Sequence, residues 1–260
     1  MKNKLILLGV LCCFMQACVI EEIPFVDERT GTYLNSNKPS QGNDALTTGD
    51  VVNDGLPKMS EHQRRCLERK VTDYDGNNYH TVYIGNQCWT RENMRSSHSY
   101  DGKLLTCYAP GDDYSHIQQY GYLYDWKSAK MVCPSGWHLP TDKEWTQMEQ
   151  HVGGVEANRC DTSASSFAKS LCSTWGWARS THKCAIGNDP SKNNSTGFEI
   201  LPSGMYNSGY FGFGFYTNFW TDTELKSGFA IDHCFNCDKA KVSRYVDGKE
   251  SGFSVRCVRN

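Results

Sequence analysis

The amino-acid sequence predicts an α+β fold, and three observations carry the prediction. Candidate strands are short and spread along the chain, one segment has a complete helix-start signature, and the connections between elements are long and polar. The helix start lies in the block Cys133-Pro-Ser-Gly-Trp-His-Leu-Pro-Thr-Asp-Lys-Glu-Trp145. There Thr141 stands three residues before Glu144, a capping box in which each side chain satisfies a backbone N–H of the first turn.

Taken in order, Tyr79 to Ile84 alternates weakly and meets Gly85-Asn86, which predicts a strand and a tight turn. Gln87 to Asn93 follows as a second strand carrying Trp89, and Tyr120 to Trp126 reads as a third. Trp137 to Leu139 leads into the capped helix, from Thr141 to about Val152, whose buried face is Trp145, Met148 and Val152 at helical spacing. A second short helix is expected over Ser163 to Leu171. Four strand candidates then close the chain: Phe198–Leu201, Tyr216–Thr221, Lys241–Val246 and Phe253–Val258. No internal repeat is evident.

The first residues read as an address. Lys2 and Lys4 precede an apolar run, Leu5 to Phe14, too short to span a bilayer, so residues 1–17 are expected to be a signal peptide. Met15-Gln-Ala-Cys18 looks like a lipobox, which makes Cys18 the expected lipidation site; an ordinary secretory signal cut near Ala17 is the alternative. Stable anchoring takes two or more acyl chains, which a lipoprotein cysteine supplies. Val19 is not the Asp that retains lipoproteins at the inner membrane, and Glu21 and Glu22 resemble surface-export signals, so an outer-membrane, outward-facing protein is expected. Residues 18–61 are rich in Asn, Asp, Ser, Thr, Gly and Pro with no lasting hydrophobic period, the composition of a tether. Residues 62–260 are left as one domain, long enough for a single substantial core.

Three blocks in order carry a resemblance to a known family: Tyr83-Ile-Gly-Asn-Gln-Cys-Trp-Thr-Arg-Glu-Asn93, the Cys133–Trp145 block, and Gly252-Phe-Ser-Val-Arg-Cys-Val-Arg-Asn260. Together they resemble the Fibrobacter succinogenes major paralogous domain, a family of bacterial surface lipoprotein modules. The resemblance spans Val71 to Asn260 and implies a C-type lectin-like fold, related in shape to the formylglycine-generating enzymes. It also implies that Cys133 pairs with Cys257, since the blocks that hold them are adjacent in that fold. Closing so long a loop would constrain the unfolded chain by about 4–5 kcal/mol in the entropic account.

Of thirteen cysteines, Cys12 and Cys13 lie in the leader and Cys18 is the lipid site. The remaining ten, at 66, 88, 107, 133, 160, 172, 184, 234, 237 and 257, are an even set in an exported chain, which predicts a disulfide framework stapling the long loops.

Most motifs that could carry chemistry have a plainer meaning. Asp73-Tyr-Asp-Gly-Asn-Asn78 begins like a calcium loop but lacks the later ligands and closing glutamate, so a hairpin turn is expected. Cys234-Phe-Asn-Cys237, after His233, could bind zinc or exchange disulfides, yet it has no second pair nearby and is read as a structural disulfide. Neither Glu-Pro-Asn, Gln-Pro-Asp nor Trp-Asn-Asp occurs, so the resemblance does not extend to calcium-dependent sugar binding. The block around Trp220 is expected to pack in the core. His138 is expected to be a structural hydrogen-bonder, and no catalytic set, metal site or phosphate loop is predicted. No cofactor is expected. A formal charge of −2 points to no nucleic-acid partner.

The best candidate for a binding surface is the run from Met205 to Tyr216, with Tyr206, Tyr210, Phe211, Phe213 and Tyr216 as candidate ligand contacts. Phe211, Phe213 and Phe215 fall on one face at strand spacing, which favours a half-buried hairpin facing the core over an exposed platform. Two functions remain. One is a non-catalytic module binding polysaccharide or protein through long polar loops, Ser96–Ile117 and Arg159–Ser195 among them. The other is an enzyme of formylglycine-generating type, or an unrecognised hydrolase, using Cys234 and Cys237.

Overall fold

The computed structural model describes residues 59–67, 70–156 and 167–260. The expected leader, Cys18, nearly all of the expected tether and Cys160 lie outside them. The first described helix, α1 (Glu61–Leu67), opens on a reciprocal cap. Ser60 N–H donates to Gln63 Oε1 at 2.8 Å, and Gln63 N–H donates to Ser60 Oγ at 3.2 Å. The strands β1 (Val71–Thr72) and β2 (Asn78–Tyr79) pair antiparallel across the Asp73–Asn77 turn. The Asp73 carboxylate accepts from Asn77 N–H at 2.9 Å and from the Tyr79 hydroxyl at 2.5 Å, so this stretch is the expected hairpin with its acid used internally.

A four-stranded sheet runs in the order β3 (Thr81–Ile84), β4 (Gln87–Thr90), β13 (Val258–Arg259), β7 (Trp137–His138). It joins the two ends of the domain, with Val258 opposite both Trp89 and His138. Between these strands come β5 (Cys107–Tyr108) with β6 (Leu123–Tyr124), and the helices α2 (Ile117–Tyr120) and α3 (Trp126–Val132). The longest helix, α4 (Asp142–Glu156), starts as the capping box requires: Thr141 N–H donates to Glu144 Oε2 at 2.7 Å and Glu144 N–H donates to Thr141 Oγ1 at 3.2 Å. Trp145, Met148 and Val152 are buried on its inner face. The helix α5 (Ala168–Leu171) and the hairpin β8 (Met205–Tyr206) with β9 (Tyr210–Phe211) precede a three-stranded antiparallel sheet. Its order is β10 (Tyr216–Lys226), β11 (Phe229–Asn236), β12 (Ser243–Gly248). Small antiparallel sheets with few helices make this an α+β fold.

Several expected elements differ. Tyr120–Trp126 is not one strand. It is the end of α2, the two-residue β6 and the start of α3, whose cap is Asp125 accepting from Ser128 N–H at 2.7 Å. Five α-helical segments, not two, occur among the described residues, and only α4 exceeds seven residues. Phe198–Leu201 is no strand but a single bridge from Ile200 to Cys172, and the expected Phe253–Val258 strand is bridges at Phe253 and Ser254 plus β13. The described part of the second helix is α5 alone. The strand β11 was not expected, because Asp232 and His233 interrupt its apolar pattern.

Adjacent strand residues face opposite ways, so the β10–β11–β12 sheet serves two cores. Phe219 and Phe235 join Trp89, Trp145 and Phe198 on one side. Trp220 and Ala230 join Tyr124, Trp126 and Phe253 on the other, together with Cys133 and Cys257. That places the Trp220 block in the core, fully buried, with its indole donating to Tyr124 O at 2.8 Å.

Cys133 and Cys257, the pair the resemblance implies, are bonded with Cα atoms 5.8 Å apart, and Cys66 is bonded to Cys88. Cys184 is also disulfide-bonded. The expectation that all ten cysteines pair is corrected: Cys107, Cys172, Cys234 and Cys237 are free thiols. Cys107 stands opposite Tyr124 and Cys172 is bridged to Ile200, so each meets an apolar neighbour in its register position.

A candidate ligand-binding face

Residues 202–216 form the centre of the site, and their backbone is tied down on both flanks. Tyr206 exchanges two backbone hydrogen bonds with Gly252, at 2.9 and 2.8 Å. Gly214 N–H donates to Pro202 O, and Ala178 N–H donates to Gly214 O. Beneath them the hydroxyls of Ser203, Thr217 and Ser254 are joined by two 2.7 Å hydrogen bonds. Gly212 adopts φ 69°, where a Cβ would collide with the Tyr216 ring. A Cβ at Gly252 would meet Tyr108 and Tyr206 at 2.8 and 2.9 Å, so glycine there lets those two rings lie together.

This geometry corrects the strand expectation for Phe211, Phe213 and Phe215. Only Tyr210–Phe211 is strand; Gly212 and Gly214, both at positive φ, turn the chain and break the alternation. The run is consequently not core. Phe211 is 48% exposed and Phe215 56%, while Tyr206, Tyr210, Phe213 and Tyr216 are half-buried. Tyr216 lies over Gly212 and beside Cys234, and burial pushes it up to about 12, so among the expected contacts it is a support beneath the face.

Two other loops bring aromatic rings to the same place. Residues 105–120 run through two short 3-10 turns into α2, with the Asp113 carboxylate accepting from Ser115 N–H at 2.8 Å. Tyr108 stacks on Tyr206 at 3.7 Å between centroids, and Tyr206 meets Tyr210 edge-on. His116 stacks on Phe213 at 4.3 Å, and Tyr120 contacts both Phe213 and Trp175. Tyr114 is exposed and Trp175 partly so. Partial burial and the nearby Asp112 carboxylate push Tyr210 up to about 12, keeping its hydroxyl protonated as a donor. Tyr108, Tyr114, His116, Tyr120 and Trp175 were not singled out from sequence. Apart from Tyr120 they fall within the two loops expected to recognise ligand, and only the tertiary fold shows that they meet the 206–216 run.

The other candidate, Cys234 and Cys237, does not come together as a reactive pair. Cys234 stands opposite Asn218 and Ser243 on the face of β11 that also bears Asp232, whereas Cys237 packs with Phe219 and Phe235 in the core on the other face. The expected structural disulfide is absent for the same reason: Cys237 lies just past the end of β11 and turns into the core, away from the face that bears Cys234. Burial, with Asp232 and Asp247, pushes the Cys234 thiol well up, and burial with Asp238 raises Cys237, so neither is poised as a thiolate. No group of three or more His, Cys, Asp or Glu side chains is arranged to hold a metal among the described residues.

A second polar cluster is structural. His233 is fully buried, bonded through Nδ1 to Glu149 Oε1 at 2.7 Å and through Nε2 to Asp142 Oδ1 at 3.0 Å. Arg244 donates twice to Asp142, at 2.7 and 2.5 Å. The cluster welds α4 to β11 and β12. Burial alone would pull His233 down, but Glu149 and Asp142 outweigh it and hold it near 9. A folded pKa raised above the unfolded value of about 6.5 contributes stability that is complete below pH 6.5 and lost as pH climbs through 9. The unfolding free energy of the wild type, measured by urea denaturation, should therefore fall across that window by on the order of 3 kcal/mol. The Asp232–Asp247 carboxyl pair, raised mainly by burial, slopes the same way. The His233 share is the part of the slope that His233→Gln removes; an equal slope in that variant would contradict the assignment. His138 also serves structure, bridging Glu144 Oε1 at 2.9 Å and Asn260 Oδ1 at 2.5 Å.

Comparison with known proteins adds one finding. The model of the Fibrobacter succinogenes major domain matches residues 82–259. No curated protein and no solved structure matches the chain.

Proposed function

The chain belongs to the Fibrobacter succinogenes major domain family, and from that premise we propose that it is a lipid-anchored, non-catalytic binding module of the outer membrane, with polysaccharide as its ligand. The observation that carries this reading is the aromatic face. Three separate loops bring rings together in two groups, Tyr108 with Tyr206 and Tyr210, and His116, Tyr120 and Trp175 with Phe213, on a backbone cross-linked by hydrogen bonds. Tyr114, Trp175, Phe211 and Phe215 of these loops are exposed. Flat, rigid rings bind sugar faces at low conformational cost, and a fixed backbone leaves little ordering to be done on binding. The non-catalytic part is supported by the separation of Cys234 from Cys237. The C-type lectin-like arrangement belongs to the same proposal. It is supported by the closure of the two domain ends through β4 and β13, and by long loops displayed beyond the sheets. Anchoring rests on the Lys2–Cys18 segment. No helix among the described residues is long and apolar enough to cross a membrane.

The test uses full-length protein in detergent. Phe211→Ala and Trp175→Ala should each weaken polysaccharide binding about tenfold, since a stacked aromatic contributes about 1–2 kcal/mol. Thermal midpoints should stay close to wild type, because both rings are substantially exposed. Loss of stability with unchanged affinity would make the rings packing elements. In a separate arm, Cys18→Ser should leave the membrane fraction for the soluble one; a serine variant that still pellets with the outer membrane rejects the lipid anchor.

A further inference from the structure

The charges around the aromatic face restrict its ligand further. The three segments that build it, residues 105–120, 173–177 and 202–216, contain no lysine and no arginine. Their only formal charges are Asp112 and Asp113, adjacent in the loop between the Tyr108 and His116 stacks. Asp112 is held at φ 60° with its carboxylate near the Tyr210 hydroxyl, while Asp113 caps the following turn. Asp113 accepts from Ser115 N–H and lies 3.9 Å from His116 Nε2, and both aspartates are exposed. The phenol and carboxylate groups supply donors and acceptors at the ring edges, which suits sugar hydroxyls. An anionic polymer would bring its charges against these two carboxylates, a cost that does not arise for an uncharged chain. Exposed Arg179, next to the Ala178 whose N–H holds Gly214, is a cation at the margin of the face.

We infer that the face selects uncharged polysaccharides and excludes uronate-bearing ones, with Asp112 and Asp113 as the excluding residues. The inference rests on the reading of this face as the recognition surface. Aromatic stacking supplies the attraction and is blind to charge; the carboxylates supply the discrimination.

Affinity electrophoresis of the full-length protein in detergent tests it, through gels containing galactomannan, arabinoxylan or mixed-linkage β-glucan, and in parallel polygalacturonate or alginate. At least one neutral polymer should retard the wild type, with the effect reduced about tenfold in Phe211→Ala and Trp175→Ala. The acidic polymers should not retard it. The double variant Asp112→Asn, Asp113→Asn keeps the turn, because asparagine both caps and tolerates positive φ. It should retain neutral-polymer binding within about threefold, a change of the size a single peripheral contact makes, and gain retardation by polygalacturonate. Wild-type retardation by acidic polymers that is lost in Phe211→Ala would overturn the charge inference and leave the face standing as the recognition surface. Polymer binding untouched by both aromatic variants would overturn the face itself. Retardation by no polymer, with a photo-crosslinker at position 211 capturing an envelope protein, would replace carbohydrate with a protein ligand. Failure of the double variant to gain acidic binding would remove Asp112 and Asp113 as the excluding residues.

Discussion

Replacing Arg256 with methionine should cost on the order of 4 kcal/mol of folding stability, the scale of breaking a buried charged network. The guanidinium is buried and serves as a donor hub for two separate segments, residues 90–93 and 198–199. Its Nε donates to Asn93 Oδ1 at 2.6 Å, Nη1 to Thr90 O at 3.1 Å and Phe198 O at 2.9 Å, and Nη2 to Glu199 O at 3.1 Å. Arg91 O is a further acceptor of Nη1, and the ring of Phe198 lies under the guanidinium at 4.7 Å. Burial pulls the group down to about 9, offset by Glu92 and Glu199, so it remains charged at neutral pH. Methionine fills similar volume but leaves four carbonyls and an amide oxygen buried without this donor. Lysine restores the charge yet not the planar fork, and should recover only part of the loss. Urea unfolding checks the order wild type, Arg256→Lys, Arg256→Met. A methionine variant with the wild-type midpoint would show that the hub does not hold the fold.

Arg256 lies in the terminal block that carries the family resemblance, but its role is not legible there, because its partners are backbone atoms far away in sequence. Features set by neighbouring residues are for the most part legible. The α4 start is visible because Thr141 and Glu144 satisfy each other within one turn, and Trp220 because large apolar residues in a strand are usually buried. What depends on distant partners stayed hidden. The strand β11 is obscured by Asp232 and His233, which are tolerated inside only because Asn218 and Asp247 on one side, and Asp142 and Glu149 on the other, receive them. The helix α3 had a local signal, Asp125 before a Trp126, Ala129, Val132 spacing, which the aromatic richness of Tyr120–Trp126 masked. For the ligand-binding face the 206–216 run was found, but its exposure was not. Alternation between phenylalanine and glycine mimics a strand, and only the positive φ of Gly212 and Gly214 distinguishes the two. That Trp175 and His116 join it is a tertiary fact with no sequence period.

The two disulfides defined by both partners should differ in worth, and the difference is more secure than either value. Cys133 and Cys257 are 124 residues apart, and Cys66 and Cys88 only 22. In the loop-entropy account the longer closure restricts the unfolded chain by about 5 kcal/mol and the shorter by about 3.4 kcal/mol. The constant cancels in the comparison, leaving about 1.5 kcal/mol from the ratio of loop lengths. Packing acts in the same direction, since Cys133 and Cys257 lie in a core with Trp220 and Phe253, whereas Cys66–Cys88 fastens the peripheral α1 to β4. Paired alanine variants, Cys133→Ala with Cys257→Ala and Cys66→Ala with Cys88→Ala, measured by urea unfolding without reductant, should therefore both lose stability. The 133/257 pair should have the lower midpoint at similar slope. If removing the 66/88 bond costs as much or more, loop closure is not what the long disulfide contributes. The native geometry around α1 would then have to be the larger source of stability.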